Sequence, residues 1–202
     1  MENLDKQKKV IMISIIVLVI VIFVGIFSYI LLQNSQKNTQ EQIKKTENQA
    51  GAQLKTKSGF RLKVLTTEPQ IGQEVRIAVY ANSGKQDVMG FDLALSYPEM
   101  LAYIGSSSTL EGYDVIETTE ENIIDDQKGS KIIITGAKQL GNNKSAIWDD
   151  SEIMILKFKP MRSGLANLTF EMSPGSLSDT NMFDNYNKDL VTIAVGSTVQ
   201  IP

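Results

Sequence analysis

The 202-residue chain contains no histidine and no cysteine. Those two absences exclude a Ser-His-Asp or Cys-His nucleophile, a His/Cys zinc site, a disulfide and haem ligation through either residue. Acid–base chemistry would fall to carboxylates, Lys or Tyr. There is one Trp and there are only five Pro. No long stretch shows apolar residues at a 3.6-residue period on a polar background, and no internal repeat is visible. Basic and acidic side chains nearly balance, 20 against 23.

Charge is also missing locally. Val10 to Leu32 (VIMISIIVLVIVIFVGIFSYILL) has no Asp, Glu, Lys or Arg over 23 residues. As a helix rising about 1.5 Å per residue it would span a hydrocarbon core of about 30 Å with some tilt. A cleaved signal peptide would have a shorter apolar region followed by small residues. This run ends in Ser28-Tyr29-Ile30-Leu31-Leu32, with no A-x-A pattern and no lipid-accepting cysteine. The expectation is a single-pass signal anchor. Lys6, Lys8 and Lys9 precede it, while Lys37, Lys44 and Lys45 follow it. The positive-inside bias is therefore weak. A nine-residue tail inside the cell (1–9), with the large C-terminal region outside, is the orientation adopted.

Residues 33–58 are rich in Gln, Asn and Lys, with Ile43 and Leu54 as the only large aliphatic side chains. Such a segment buries too little apolar surface to fold alone. It reads as a flexible, solvated linker with enough Gln, Glu and Lys for a helical stalk. Charge divides along the same boundaries. The linker carries five Lys against two Glu, whereas residues 59–202 carry 12 basic and 19 acidic side chains, a net −7. That balance disfavours nucleic acid as a partner, because phosphate contact needs clustered cations.

Within 59–202 the apolar period is two, the signature of half-buried strands. Phe60, Leu62 and Val64 alternate with Arg61 and Lys63; Val75, Ile77 and Val79 with Arg76, Ala78 and Tyr80; Phe91, Leu93, Leu95 and Tyr97 with Asp92, Ala94 and Ser96. Further strands are expected at 131–135, 153–159, 168–172, 190–195 and 198–201. Turn residues separate them at Asn82-Ser83-Gly84-Lys85, Gln127-Lys128-Gly129-Ser130, Gly141-Asn142-Asn143, Arg162-Ser163-Gly164 and Ser173-Pro174-Gly175. Eight or nine short strands in this length predict an all-β, antiparallel β-sandwich.

Three pieces of this domain, in order, resemble the cohesin family. Ile71-Gly72-Gln73-Glu74-Val75 through Val79 is similar to its opening strand. Gly90-Phe91-Asp92-Leu93-Ala94-Leu95-Ser96-Tyr97-Pro98, followed by Leu101, is similar to its Gly-Phe-Asp strand. Ile153 to Lys159, then Ser163-Gly164 to Phe170, is similar to its closing pair. The resemblance spans nearly all of 65–202 and implies a jelly-roll sandwich that receives a dockerin-like partner, whose calcium would sit in the partner. The family's Asn-x-Asp contact pair corresponds to Gly90 and Asp92, so the Asn is lost. The family's Tyr-Asp-Pro is Tyr97-Pro98, and Lys138 falls where a contacting Glu is common. The expected docking face is therefore Gly90, Asp92, Ala94 and Ser96, with Lys138 nearby. Bottom-up, Phe91, Leu93, Leu95 and Tyr97 should point into the core, leaving the other residues on a flat outer surface or an ordinary solvated one.

Other chemistry finds little support. Glu120-Glu121, Asp125-Asp126 and Asp149-Asp150 are adjacent carboxylates, which point to opposite faces on a strand; no catalytic residue is expected. Asn185 to Asp189 places oxygen ligands at alternate positions, as in a calcium loop, but Leu190 stands where glycine is required and Gly196 where the closing Glu would be. An irregular calcium site from Asp179, Asp184 and Asp189 is the remaining metal option; no cofactor is expected otherwise. Direct carbohydrate binding would use Trp148, though a single Trp at a loop–strand junction is more often packed than displayed. Asn143-Lys144-Ser145 and Asn167-Leu168-Thr169 matter only in a glycosylating host. The sequence therefore predicts a membrane-anchored, non-enzymatic surface scaffold that binds a dockerin-like or other surface protein, with assemblies for polysaccharide breakdown as the expected setting. The alternatives are a carbohydrate-binding module and a structural envelope subunit.

Overall fold

The computed structural model describes residues 56–202 apart from 125–126 and 174–178, and helical residues at 22–24, 26–29, 37–39, 41–43, 45–46, 48–49 and 52–54. Two compact units divide the chain, Met1–Gln42 and Ile43–Pro202. The 1–9 tail and most of the expected 10–32 helix lie outside the described residues. Where 10–32 is described it is helical, with Phe23 and Phe27 exposed. Among the described residues no helix is long and apolar enough to cross a membrane. The described residues of 33–58 are helical up to Leu54 rather than coil, and Leu54 itself is buried.

Among the described residues, the second unit is a sandwich of eleven strands: β1 Gly59–Val64, β2 Val75–Asn82, β3 Gly90–Pro98, β4 Leu101–Ser108, β5 Tyr113–Ile124, β6 Gln127–Lys138, β7 Ser151–Pro160, β8 Gly164–Phe170, β9 Asn181–Phe183, β10 Ile193–Val195 and β11 Ser197–Ile201. One sheet has the order β10-β1-β2-β7-β4 and the other β11-β8-β3-β6-β5, with β9 pairing β3 beside β8. Nearly every pairing is antiparallel, as expected. The exception is β10, which runs parallel to β1 with Gly59 opposite Ile193. Gly59 sits at φ 148°, and a Cβ there would fall 1.8 Å from the Ile193 carbonyl oxygen, so only glycine permits that close start.

The period-two pattern explains the core. Phe60 and Leu62 of β1, Val75, Ile77 and Val79 of β2, and Leu156 and Phe158 of β7 face Phe91, Leu93, Leu95 and Tyr97 of β3 and Ile132 and Ile134 of β6. Rings bridge the sheets: Tyr97 meets Phe158 edge-on at 5.2 Å, and Phe91 meets Trp148 at 5.7 Å. Gly136 on β6 makes room for the Phe91 ring, whose nearest atom would lie 2.1 Å from a Cβ there.

Three strands, β4, β5 and the short β9, were not foreseen. β4 ends in Gly105-Ser106-Ser107-Ser108, and β5 is largely polar; both are edge strands with a partner on one side only. The expected turn at 127–130 instead belongs to β6, because the β5–β6 ladder continues to Ile124 opposite Gln127. The intervening Asp125-Asp126 pair lies outside the described residues. Side chains on β5 close one flank of the sandwich. Glu117 accepts hydrogen bonds from the Tyr103 hydroxyl (2.7 Å) and from Ser106, both on β4. Burial first, and then the neighbouring Glu117 carboxylate, push the Tyr103 phenol up from its ordinary value.

Candidate docking face

The outer surface of the β11-β8-β3-β6-β5 sheet follows from the register. Ile116 on β5 stands opposite Thr135 on β6, Thr135 opposite Asp92 on β3, and Asp92 opposite Asn181 on β9. These four residues form one row across the sheet. Thr135 donates its hydroxyl to Asp92 Oδ1 at 2.6 Å, which orients the carboxylate along the row. Ile116 is 70% exposed at the end of the row. An aliphatic side chain that open, beside an oriented carboxylate on a flat sheet, is the kind of feature a protein partner covers. The sequence reading overlooked Ile116 because the strand carrying it was not recognised.

The expectation of a uniformly open β3 surface needs correction at two positions. Gly90 and Asp92 are partly exposed, but Ala94 is 1% and Ser96 4% exposed. The reason is the segment leaving β8. The Glu171 N–H donates to the Ala94 carbonyl, and the Thr180 hydroxyl lies 3.2 Å from both Ala94 N and Ala94 O. The Ser96 hydroxyl donates to Glu171 Oε1 at 2.6 Å, and Glu171 Oε2 lies 2.7 Å from Lys131 Nζ. A small residue at 94 and a hydroxyl at 96 thus serve the fold, covered by chain that is remote in sequence.

Lys138 ends β6 at the same edge as Gly90, its partner's neighbour in the ladder. Its ammonium is nearly buried and lies 3.1–3.2 Å from both Asp87 carboxylate oxygens. Burial alone would raise the Asp87 carboxyl, but the Ala146 N–H and the Lys138 ammonium outweigh it and hold it below the ordinary range. Lys138 therefore pins the 83–89 loop to β6 and is not a free contact residue.

Trp148, the carbohydrate candidate, is a core residue. It is 5% exposed and packed between Phe91 and Tyr113, 5.8 Å from the latter ring. Its backbone N–H and carbonyl both bond Ser83. A sugar ring has no indole face to stack on here. The calcium candidates are each engaged locally. Asp184 Oδ1 accepts the N–H groups of Tyr186 and Lys188, Asp189 Oδ1 those of Met182 and Val191, and Asp179 accepts from Ser173 N–H and the Asn181 amide. These are turn-forming carboxylates. Among the described residues no three acidic side chains converge on a point.

The fold can now be placed among known proteins. Its two-sheet β-sandwich is similar to that of cohesin modules. No protein-family model and no curated protein matches the sequence. Solved structures share its fold. A type II cohesin, in an X-dockerin complex from Acetivibrio cellulolyticus, superposes with a TM-score of 0.52 at 16% identity, covering 72% of this chain and 100% of its own. The sixth cohesin of the same organism's scaffoldin B, complexed with a mutant Cel5 dockerin, gives 0.52 at 13% identity, covering 73% and 100%. A type I cohesin–dockerin complex from Clostridium thermocellum gives 0.51 at 15% identity, covering 70% and 92%. The likeness is one of fold: residues 59–202 form a cohesin-like β-sandwich.

Proposed function

We propose that this protein is a membrane-tethered, non-catalytic module that captures a dockerin-like protein on the outer face of its β11-β8-β3-β6-β5 sheet. The observation that carries the reading is the exposed row of Ile116, Thr135 and Asp92 on a cohesin fold. Several solved neighbours of that fold are held in complexes with dockerins. Aliphatic anchoring by Ile116 would supply buried area, and the Asp92 carboxylate would supply direction. Calcium would belong to the partner, since the chain's own loop carboxylates are taken up by backbone N–H groups. The missing histidine and cysteine support a binding role over catalysis.

The tether in this reading is residues 10–32, whose 23 uncharged positions suit a bilayer, with the tail inside and the sandwich outside. A place in polysaccharide-degrading assemblies would follow from the partner, because no sugar platform remains at Trp148. The test is capture of calcium-loaded type I and type II dockerin modules by the full chain held in lipid nanodiscs. Capture by at least one class, lost with Asp92→Arg or Ile116→Asp, is expected. No capture by any dockerin, or capture indifferent to both variants, refutes the reading.

A further inference from the structure

The other sheet has the opposite charge sign. Strands β10, β1, β2, β7 and β4 carry Arg61, Lys63, Arg76, Lys157 and Lys159 against one acid, Glu152. This happens in a domain whose net charge is −7. Register turns all five cations away from the core, because each alternates with core residues: Lys63 lies opposite Ala78, Ala78 opposite Ile155, and Arg76 opposite Lys157; Arg61 and Ala78 are nonetheless buried on that side. Lys63, Arg76 and Lys159 are exposed, and Lys157 is half-buried.

Arg61 is already satisfied. Its guanidinium binds Asp150 at 2.8–3.0 Å and stacks 4.0 Å over the Tyr80 ring, while Glu152 accepts from the Tyr80 hydroxyl. The remaining four cations have no ion-pair partner among the described residues. Glu68 and Glu74 in the β1–β2 loop and Glu99 in the β3–β4 turn are acids at this end of the sheet. Arg76 and Lys157 stand directly cross-strand, and like charges at that spacing repel. The isolated domain gains nothing from that pair; an external anion would.

The chain's path identifies the anion. β1, which carries Arg61 and Lys63, is the strand the linker feeds, and the linker adds five lysines just upstream. Net basic charge, five Lys against Glu41 and Glu47, therefore leads from the apolar segment to this face. We infer that the outer face of the β10-β1-β2-β7-β4 sheet rests on an anionic lipid surface. The inference builds on the membrane-tether reading above. It gives the sandwich an orientation: the cationic sheet lies against the bilayer, and the row of Ile116, Thr135 and Asp92 points away from it, toward a partner.

The natural absence of cysteine makes the test clean. Ser107→Cys on β4 labels the cationic face, since Ser107 lies opposite Ile155; Thr118→Cys on β5 labels the other face, opposite Ile133. The full chain, carrying one environment-sensitive fluorophore, is reconstituted into phosphatidylcholine vesicles with or without about a third phosphatidylglycerol. Flotation checks insertion. The expected result is lipid contact at position 107 and not at 118, in anionic vesicles only, abolished by about 1 M salt where the screening length is about 3 Å. Each surface cation near an anionic bilayer is worth about fivefold in occupancy, so Arg76→Gln with Lys157→Gln should lower docking about twenty-fivefold. The salt titration needs no charge variant and stands if that pair misfolds. Flotation with both labels behaving alike, or with no dependence on anionic lipid, overturns the inference while leaving the tether standing. Failure to float overturns both.

Discussion

The two outer surfaces of this sandwich are built from the same alternation and end in opposite characters. On the β10-β1-β2-β7-β4 side, the residues between core positions include Arg61, Lys63, Arg76, Lys157 and Lys159 beside Ala78, Tyr80, Glu152 and Ile155, and four of these cations have no acidic partner among the described residues. On the β11-β8-β3-β6-β5 side they are Asp92, Asp114, Thr118, Glu120, Thr135 and the exposed Ile116, with Lys131 held by Glu171. Core packing constrains every second residue of both sheets equally. It leaves most intervening positions, though not Ala78, Ala94 or Ser96, open to vary, and those positions are where the faces diverge. The difference argues for two distinct neighbours, one anionic and one protein.

Substitutions can break or sharpen that contrast, and their expected effects span a wide range. Phe91→Ala should abolish it, because Phe91 touches Phe60, Trp148 and Tyr113 across the sandwich. A loss of about 3–5 kcal/mol is expected, read by chemical denaturation, with both faces lost together. Arg61→Ala removes one partner of a largely buried ion pair and strands Asp150. It should cost about 3 kcal/mol and leave dockerin capture by the surviving folded fraction unchanged. Ala94→Lys and Thr118→Lys both add a lysine to the acidic face. The first forces a long side chain under Glu171 and Thr180 and should cost about 1–3 kcal/mol; the second should stay within about 0.5 kcal/mol. Equal effects would mean that Ala94 is open after all.

The smallest effect near neutral pH concerns tyrosines. Burial pushes the phenols of Tyr97, Tyr103 and Tyr113 above their ordinary value of 10.0. A raised folded-state value means the protonated form is favoured in the native protein. The resulting stability is complete below pH 10 and is lost as the pH rises beyond it. Thermal melts should be flat from pH 7 to about 9 and fall steeply above about 10. A melt that stays level past that point would contradict the burial of these rings.

Most of the core was legible because alternation is a local signal. Phe91, Leu93, Leu95 and Tyr97 announce an inward face in the sequence itself, and they are buried. β4 and β5 were not legible: Ser106-Ser107-Ser108 and Glu117-Thr118-Thr119-Glu120 lack apolar alternation, and edge strands need little of it. The candidate site was half legible for a related reason. Asp92 could be placed on an outer face from its own strand. The cover over Ala94 and Ser96 comes from Glu171 and Thr180, about 75 to 86 residues away, and nothing near residue 94 records it. Ile116 was hidden with its strand.

The central claim is that capture belongs to the acidic face alone. The most direct measurement is the affinity of the nanodisc-held full chain for a calcium-loaded dockerin that it captures, compared between Asp92→Arg and Lys157→Glu. The account predicts a loss of at least about thirtyfold for Asp92→Arg, the scale of one interface hot spot, and less than about twofold for Lys157→Glu. Comparable losses in the two variants, or a loss confined to Lys157→Glu, would contradict it.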